Sequence, residues 1–353
     1  MRQKTLRQKT EDWIFSHPIT LLMPMTPTDP PTTAGARLRL VFCLLSQSLL
    51  SLSVAAGEDP ASRFDKANQA GVEVLVDRHL NGSGWLATEP GYAFTAAHVV
   101  ANKNASLAVR LSDGRLLSAR VQARDLRHDA ALLRLEGDVG NLPAGLPFAD
   151  KEPALGQPLW VFGAPLYRHA VFLPGTVAKA ALTYEWMGDT GRAIECRLIA
   201  CAVPKGMSGG PWLDAEMRVV GVQSGGMTDH EVFCGISFVP PADALARLLQ
   251  TKLDQPTAWL GAAVEELDEQ PAKEIKRFPA DAAGVVIKAV AKDSPAARAG
   301  LANDTLLIRC GGQVLTTRNA FYQFLATLPP GGKLTLETLV PDQSKPVMIT
   351  VQL

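Results

Sequence analysis

The sequence predicts a mainly β protein: a run of barrel- or sandwich-like strands, then a smaller unit mixing strands and helices. Two patterns lead there. Between Gly57 and Pro240, short aliphatic or β-branched runs such as "VEVLV", "SLAVRL", "AALLRL", "PLWVFG", "RVVGVQ" and "GISFVP" alternate with turn segments such as "SDG", "LPAG" and "GDTG". Many short strands with frequent turns are the signature of closed or stacked all-β units, and this length suits two of them. The composition agrees, with 29 Gly, 25 Pro and only 6% aromatic residues in 353, a balance that disfavours a helical bundle. With 47% hydrophobic and 20% charged residues there is ample core material, and the length suits two domains plus extras.

In chain order, the first segment reads as a leader, residues 1–56. It is Pro- and Thr-rich near "MTPTDPPTTAG", then carries Arg37 and Arg39, the apolar run Leu40–Leu45, and small residues up to Ala56. A basic flank, a short apolar core and small residues before a cleavage point make a secretory signal, here cut before Gly57. The Ser and Gln residues after Leu45 interrupt the run, which argues against a membrane anchor of about 20 apolar residues. The long stretch ahead of Arg37 suggests that translation starts further downstream. Export fits a chain whose remaining cysteines are Cys196, Cys201, Cys234 and Cys310, for which free thiols and disulfide pairing both stay open. No Cys-x-x-Cys pair exists, so neither a zinc site nor a thioredoxin-like centre is expected. No other metal and no cofactor is called for.

Residues 57–253 form the all-β part, which closes on a helix. "PADALARLLQTKL" places Leu245, Leu248, Leu249 and Leu253 at helical spacing behind Pro241 and Asp243. "DQPTA" reads as a linker opening a second unit, residues 254–353. There "GVVIKAV", "TLLIRC", "KLTLETLV" and "KPVMITVQL" read as strands and "TRNAFYQFLATL" as a helix. Ser294, Pro295 and Gly300 give a short helix its cap, first turn and stop.

The charge balance restricts the partners. Lys and Arg total 35 and Asp and Glu total 35; the leader holds six basic and three acidic residues, leaving 29 basic against 32 acidic. A slightly acidic remainder argues against a nucleic-acid binder, which needs a basic excess to neutralise phosphates.

Three motifs carry chemistry. His98 follows an apolar strand in "GYAFTAAHVV", Asp129 opens another in "RHDAALLRL", and Ser208 sits in the glycine-rich turn "KGMSGGPW". A serine hydroxyl is a poor nucleophile unless a base lies within hydrogen-bond reach. In the order His, Asp, Ser, His98 would take and return the Ser208 proton while Asp129 fixes its tautomer. Gly206, Gly209 and Gly210 allow a tight turn that aims the N–H groups of Gly206 and Ser208 at a developing oxyanion. Gly206–Gly210 also fits the Gly-x-Ser-x-Gly of α/β-hydrolases, but that fold needs Ser, acid, His in sequence within alternating strands and helices. Only His230, directly after Asp229, lies downstream of Ser208, and no such alternation surrounds it.

These residues carry a resemblance. "TAAHVV", "DAALL" and "GMSGGP", with "GSGWLA", "VVGVQSGG" and "GISFVP", look like the chymotrypsin-fold serine peptidases, nearest to their HtrA/Deg branch. "WLGA", "DSPAARAGL" and "GGQVLTTRNAF" are similar to that branch's C-terminal PDZ domain. The resemblance implies a chymotrypsin-like double β-barrel followed by an α+β PDZ domain, acting as a periplasmic or secreted serine endopeptidase on unfolded or mislocalised polypeptides. It places Ala202 at the base of the primary substrate pocket and Ser224, Gly225 and Gly226 on the strand that pairs with substrate. With no acid at Ala202, small or medium apolar side chains are expected there. It places peptide C-termini at Leu260, Gly261 and Ala262, flanked by Phe321 and Leu325, through strand addition and carboxylate capture by backbone N–H groups. It implies a homo-oligomer, a trimer by analogy, with Phe64 in an N-terminal arm. The chain departs from the branch at Met207, where Asn is usual, in the approach segment "ECRLIACAVPK", and at "AND" (Ala302–Asp304). The Met207 and approach-segment departures motivate an alternative, a catalytically silent, chaperone-like peptide binder.

Overall fold

Strand residues that alternate between two apolar environments need a core on each side of the sheet, and the first barrel has that pattern. In the computed structural model, which describes residues 59–229 and 232–353, β1 (Gly71–Val76), β2 (His79–Leu86), β3 (Tyr92–Ala96), β4 (Leu107–Arg110), β5 (Leu116–Asp125) and β6 (Ala130–Glu136) close in the order β1-β2-β3-β6-β5-β4. Along β6, Ala131, Leu133 and Leu135 point into the barrel with Val74, Val109 and Leu117. Ala130 and Leu132 face the other way, into a second cluster with Trp85, Phe94, Phe162, Leu213 and Leu245. Period-two geometry thus splits one strand between the barrel interior and the seam beside the second sheet. The leader and the apolar run Leu40–Leu45 lie outside the described residues.

The second sheet contains β7 (Pro158–Gly163), β8 (Val171–Met187), β9 (Arg192–Ala200), β10 (Pro211–Leu213), β11 (Val219–Val222), β12 (Gly226–Asp229) and β13 (Val232–Val239), in the order β11-β10-β7-β8-β9-β13-β12. It curls back on itself where Val222 N donates to Pro240 O at 3.2 Å and Gly221 bridges to Pro241. Its interior holds Leu159, Val161, Val177, Ile199, Trp212 and Val239. The chain thus has the double-barrel arrangement expected of it. β8 and β9 run well beyond the barrel as a long hairpin turning at Gly188–Gly191.

Two helices brace the seam. α1 (Pro60–Ala70) brings Phe64 edge-on to Phe162 and Phe172 of the same chain, so the arm residue packs inward. α2 (Ala242–Thr251) buries Leu245 and Leu248 completely, while Leu253, beyond its left-handed C-cap at Lys252, is exposed.

The C-terminal segment forms one sheet of β14 (Ala262–Glu266), β15 (Val285–Val290), β16 (Leu306–Cys310), β17 (Gln313–Val314), β18 (Lys333–Leu339) and β19 (Val347–Gln352), with β14 at its edge. It carries the short helices α3 (Ala272–Ile275) and α4 (Pro295–Arg298), and α5 (Arg318–Ala326), whose cap Thr317 accepts from Ala320 N at 3.1 Å. Leu260, Val264, Ile287, Leu307, Phe321 and Leu336 make its core, and Tyr184 of β8 inserts among them. The described cysteines are all free thiols, Cys196 and Cys310 buried and Cys234 exposed.

Candidate active site

His98, Asp129 and Ser208, 31 and 79 residues apart in sequence, are brought to the seam between the barrels. His98 opens a single 3-10 turn after β3, and Asp129 ends the turn between β5 and β6. His98 Nδ1 lies 2.6 Å from Asp129 Oδ2, and His98 N donates to Asp129 Oδ1 at 2.9 Å. A third donor, the Ser224 hydroxyl, also reaches Asp129 Oδ2. Asp129 is 5% exposed, so these three donors replace the water a buried carboxylate would otherwise lose. Sequence reasoning placed Ser224 on the substrate strand and missed this role, which only the fold creates.

Burial of the His98 ring would lower its pKa. The charge and hydrogen bond of Asp129 outweigh that, with Asp189 of the hairpin turn adding to them, and the net shift is upward. The arrangement favours a proton on Nδ1, leaving Nε2 as the basic nitrogen. Ser208 Oγ donates to the Ser224 carbonyl oxygen at 3.3 Å instead of to His98. Such bonds are often loose before substrate arrives.

The turn before Ser208 is held at every carbonyl. Lys205 O accepts from Leu166 N at 2.8 Å, Gly206 O from Ser83 Oγ at 2.8 Å, Met207 O from Gly210 N at 2.9 Å and Ser208 O from Ser83 N at 2.8 Å. In a trans peptide the N–H points opposite to the preceding C=O. Tying back the Lys205 and Met207 carbonyls therefore turns the Gly206 and Ser208 N–H groups the other way, and neither donates to another group among the described residues. Gly206 has φ +98°, and a Cβ there would come within 2.5 Å of Ala164 O, so only glycine fits.

Ser83 is a residue to which sequence reasoning gave no role. It is fully buried, accepts from Ala164 N at 2.9 Å, and its carbonyl takes a bond from Thr95 Oγ1 at 2.8 Å. It thus joins the first barrel to the turn of the second; a serine between two glycines in a strand was the only signal available.

Met207 resolves the departure noted in the sequence. It is 0% exposed and packs among Leu159, Val203, Trp212 and Val220. Here the turn is anchored by an apolar side chain in the barrel core, where a polar Asn or Asp would need a buried partner.

Ser224, whose carbonyl Ser208 meets, is buried, and Ala202 is exposed. A side chain at Gly225 would run into Met187 Sδ at 2.5 Å and meet Phe238 at 3.4 Å, so these two apolar residues bound the space next to that strand. On the C-terminal sheet, Leu260 and Ala262 are each 1% exposed and Gly261 has φ +77° against Ser294. Phe321 is fully buried in the core and does not flank the edge of β14. The helical residue that faces this edge is Tyr322: its hydroxyl donates to Ala262 O at 2.9 Å and accepts from Val264 N at 3.3 Å. A cavity beside it is lined by Tyr184, Trp186, Trp259, Leu260, Tyr322 and Leu325. The β8–β9 hairpin packs on the same region. Asn319 Oδ1 accepts from Tyr184 N at 3.0 Å, and Trp259 Nε1 donates to Gly191 O at 2.9 Å.

Comparison with known proteins bears on the family and the fold. Residues 82–222 match the trypsin-like peptidase domain family. A probable periplasmic serine endoprotease DegP-like of Pseudomonas putida is 31% identical over 276 residues, 76% of this chain and 55% of that protein. A protein of the same description from Halomonas elongata is 29% identical over 281 residues, covering 78% and 57%. The chain thus spans a little over half the length of these relatives. Among solved structures, the HtrA-type protease AlgW with tripeptide shares the fold with a TM-score of 0.54 and 24% identity, over 83% of this chain and 95% of that one. The serine endoprotease from Yersinia pestis gives 0.51 and 20%, over 83% and 96%. Residues 82–222 thus match a trypsin-like peptidase domain, and the chain is a homologue of DegP-like serine endoproteases.

Proposed function

We propose that the protein is a serine endopeptidase that cleaves unfolded or mislocalised polypeptides, with Ser208 as nucleophile, His98 as general base and Asp129 as its orienting carboxylate. The observation that carries this reading is the coincidence of a polarised His98–Asp129 pair with two unspent N–H groups, those of Gly206 and Ser208, on one side of the same serine. The steps follow from the geometry. Ser208 Oγ turns from the Ser224 carbonyl to His98 Nε2, which takes its proton as Oγ attacks the scissile carbonyl. The Gly206 and Ser208 N–H groups hold the oxyanion, and His98 returns the proton to the leaving amine. Water repeats the sequence to release the acyl group. Ala202, Ser224, Gly225 and Gly226, with Met187 and Phe238 beside Gly225, favour small or medium apolar side chains in the primary pocket.

Residues 57–253 serve as the peptidase domain and 254–353 as a PDZ domain that receives peptide C-termini at Leu260–Ala262. The Tyr322 hydroxyl bonds the two backbone groups of β14 that a strand-adding peptide would use, so Tyr322 must swing aside for a peptide to pair there. Export to the periplasm and homo-oligomerisation complete the reading; among the described residues no helix is long and apolar enough to cross a membrane. One observation favours the silent, peptide-binding alternative, the Ser208 hydroxyl resting on the Ser224 carbonyl. Digestion of denatured casein separates the two: cleavage by the wild type that is lost in Ser208→Ala supports the peptidase, and equal behaviour of both proteins refutes it.

A further inference from the structure

Asp129 is not a residue that reaches its position unaided. It has φ +45°, a left-handed conformation that costs a non-glycine residue about 1–2 kcal/mol and persists only where its surroundings impose it. The preceding turn is built on Asp125, whose Oδ1 accepts from Arg127 N at 3.1 Å and His128 N at 3.2 Å. His128, next to Asp129, is 4% exposed. Its Nδ1 lies 2.7 Å from Asp125 Oδ2, and its Nε2 lies 3.1 Å from Glu195 Oε2 on β9.

Ionised carboxylates only accept hydrogen bonds, so a ring with a carboxylate on each nitrogen is matched only when both nitrogens carry protons. A neutral tautomer would turn a lone pair towards Asp125 or Glu195. The other charges around the ring are Arg127, which pairs with Glu195 at 2.7 Å, and Asp243 of α2. Burial of the ring opposes the charged form, but the bonds and charges of Asp125 and Glu195 outweigh it, and the pKa is raised. A main-chain bond runs parallel to this link, from Glu195 N to Arg127 O at 2.9 Å.

We propose that His128 is a positioning residue: as an imidazolium it fastens the Asp125–Asp129 turn of the first barrel to β9 of the second, and Asp129 keeps its aim at His98 only while that link holds. The inference rests on the assignment of His98 and Asp129 to the chemistry, but its structural half does not need activity. Loss of the His128 proton leaves a ring lone pair facing either Asp125 or Glu195 at the seam, which breaks one half of the link and loosens the turn. The peptidase therefore needs His98 neutral and His128 charged, which confines activity to a pH window with separate owners for its two limbs.

The test uses the full chain carrying Ser208→Ala, which prevents self-digestion, with isotope-labelled histidine followed by NMR across pH. The expected result is that His128 stays doubly protonated to higher pH than an ordinary histidine, and that the His98 Nδ1–H signal is lost as His128 deprotonates. Glu195→Gln should move both events to lower pH together. A neutral His128 at pH 6–7, or a His98 signal indifferent to Glu195→Gln, overturns the proposal. In the active background, His128→Gln should lower kcat by about 10- to 100-fold at unchanged KM, as for a catalytic group displaced by a fraction of an ångström, and abolish the alkaline limb. An alkaline limb unchanged in that variant also overturns it. A wild type without peptidase activity whose histidines still titrate together would refute the enzyme and leave the positioning role standing.

Discussion

Replacing Asp129 by Asn tests the orienting role with the least change in shape. In the native site Asp129 only accepts: Oδ1 takes His98 N at 2.9 Å, and Oδ2 takes His98 Nδ1–H at 2.6 Å and the Ser224 hydroxyl. An amide has one accepting and one donating end. With its oxygen at the Oδ1 place, the NH2 faces Nδ1, which must then be the unprotonated nitrogen. The proton moves to Nε2, and the base is blocked. With the amide reversed, Nδ1–H is satisfied but the NH2 meets the backbone N–H of His98, leaving two buried donors unmatched. At about 1–3 kcal/mol for each unmatched donor, the wrong tautomer is favoured by roughly 4 kcal/mol. Each 1.4 kcal/mol is about tenfold, so kcat should fall by about 10³-fold with KM little changed. The assay is steady-state hydrolysis of a fluorogenic peptide, with circular dichroism and thermal unfolding to show that the variant is folded. A folded Asp129→Asn protein that keeps more than a tenth of wild-type kcat would refute the reasoning.

Other outcomes follow from the same geometry. Gly206→Ala forces a methyl against Ala164 O, so it should cost about 10²–10³ in kcat by misdirecting an oxyanion donor, without abolishing the fold seen by circular dichroism. Met207→Ala empties a fully buried site and should destabilise by about 2–5 kcal/mol, measured by urea unfolding, with kcat falling alongside. Because the His98 pKa is raised and its neutral form is the base, the acid limb of kcat/KM should lie above the ordinary histidine value; Asp189→Asn should shift it down in a pH–rate series. Tyr322→Phe removes both hydroxyl bonds from the β14 edge, and a peptide ending in a free carboxylate should bind up to about tenfold tighter by fluorescence anisotropy. For His128 the raised pKa means its stabilising effect is full below the unfolded value of about 6.5 and is lost as pH rises through the folded value. The urea midpoint of wild type relative to His128→Gln should therefore shrink towards alkaline pH.

Strands made of short apolar runs bounded by turn residues were legible because a buried strand needs such a run: "PLWVFG" became β7 residue for residue. The β8–β9 hairpin was not, since its middle, Lys179–Leu182, has no buried residue and only the fold reveals what its far end touches. α1 buries just Ala67 and Ala70, too little apolar periodicity to announce a helix. Likewise the "AAVEE" of β14 lacks a strand's alternation. At the site, His98, Asp129 and Ser208 were readable because each sits in its own local motif. Their supports were not: Ser83 acts on Gly206, 123 residues away, and His128 on Glu195, 67 residues away. Met207, a mismatch in the sequence, becomes intelligible only as a side chain in a barrel core. Phe321 and Tyr322 differ by one residue and so by about 100° around the helix, an uncertainty that spacing alone could not remove.

The central claim is that Ser208 is a nucleophile activated by His98. Incubation with a fluorophosphonate probe, followed by intact mass and peptide mapping, tests it most directly. The account predicts a single adduct on Ser208 in the wild type, absent from Ser208→Ala and strongly slowed in His98→Ala. Folded wild-type protein that forms no adduct, or an adduct that persists in Ser208→Ala, would contradict it.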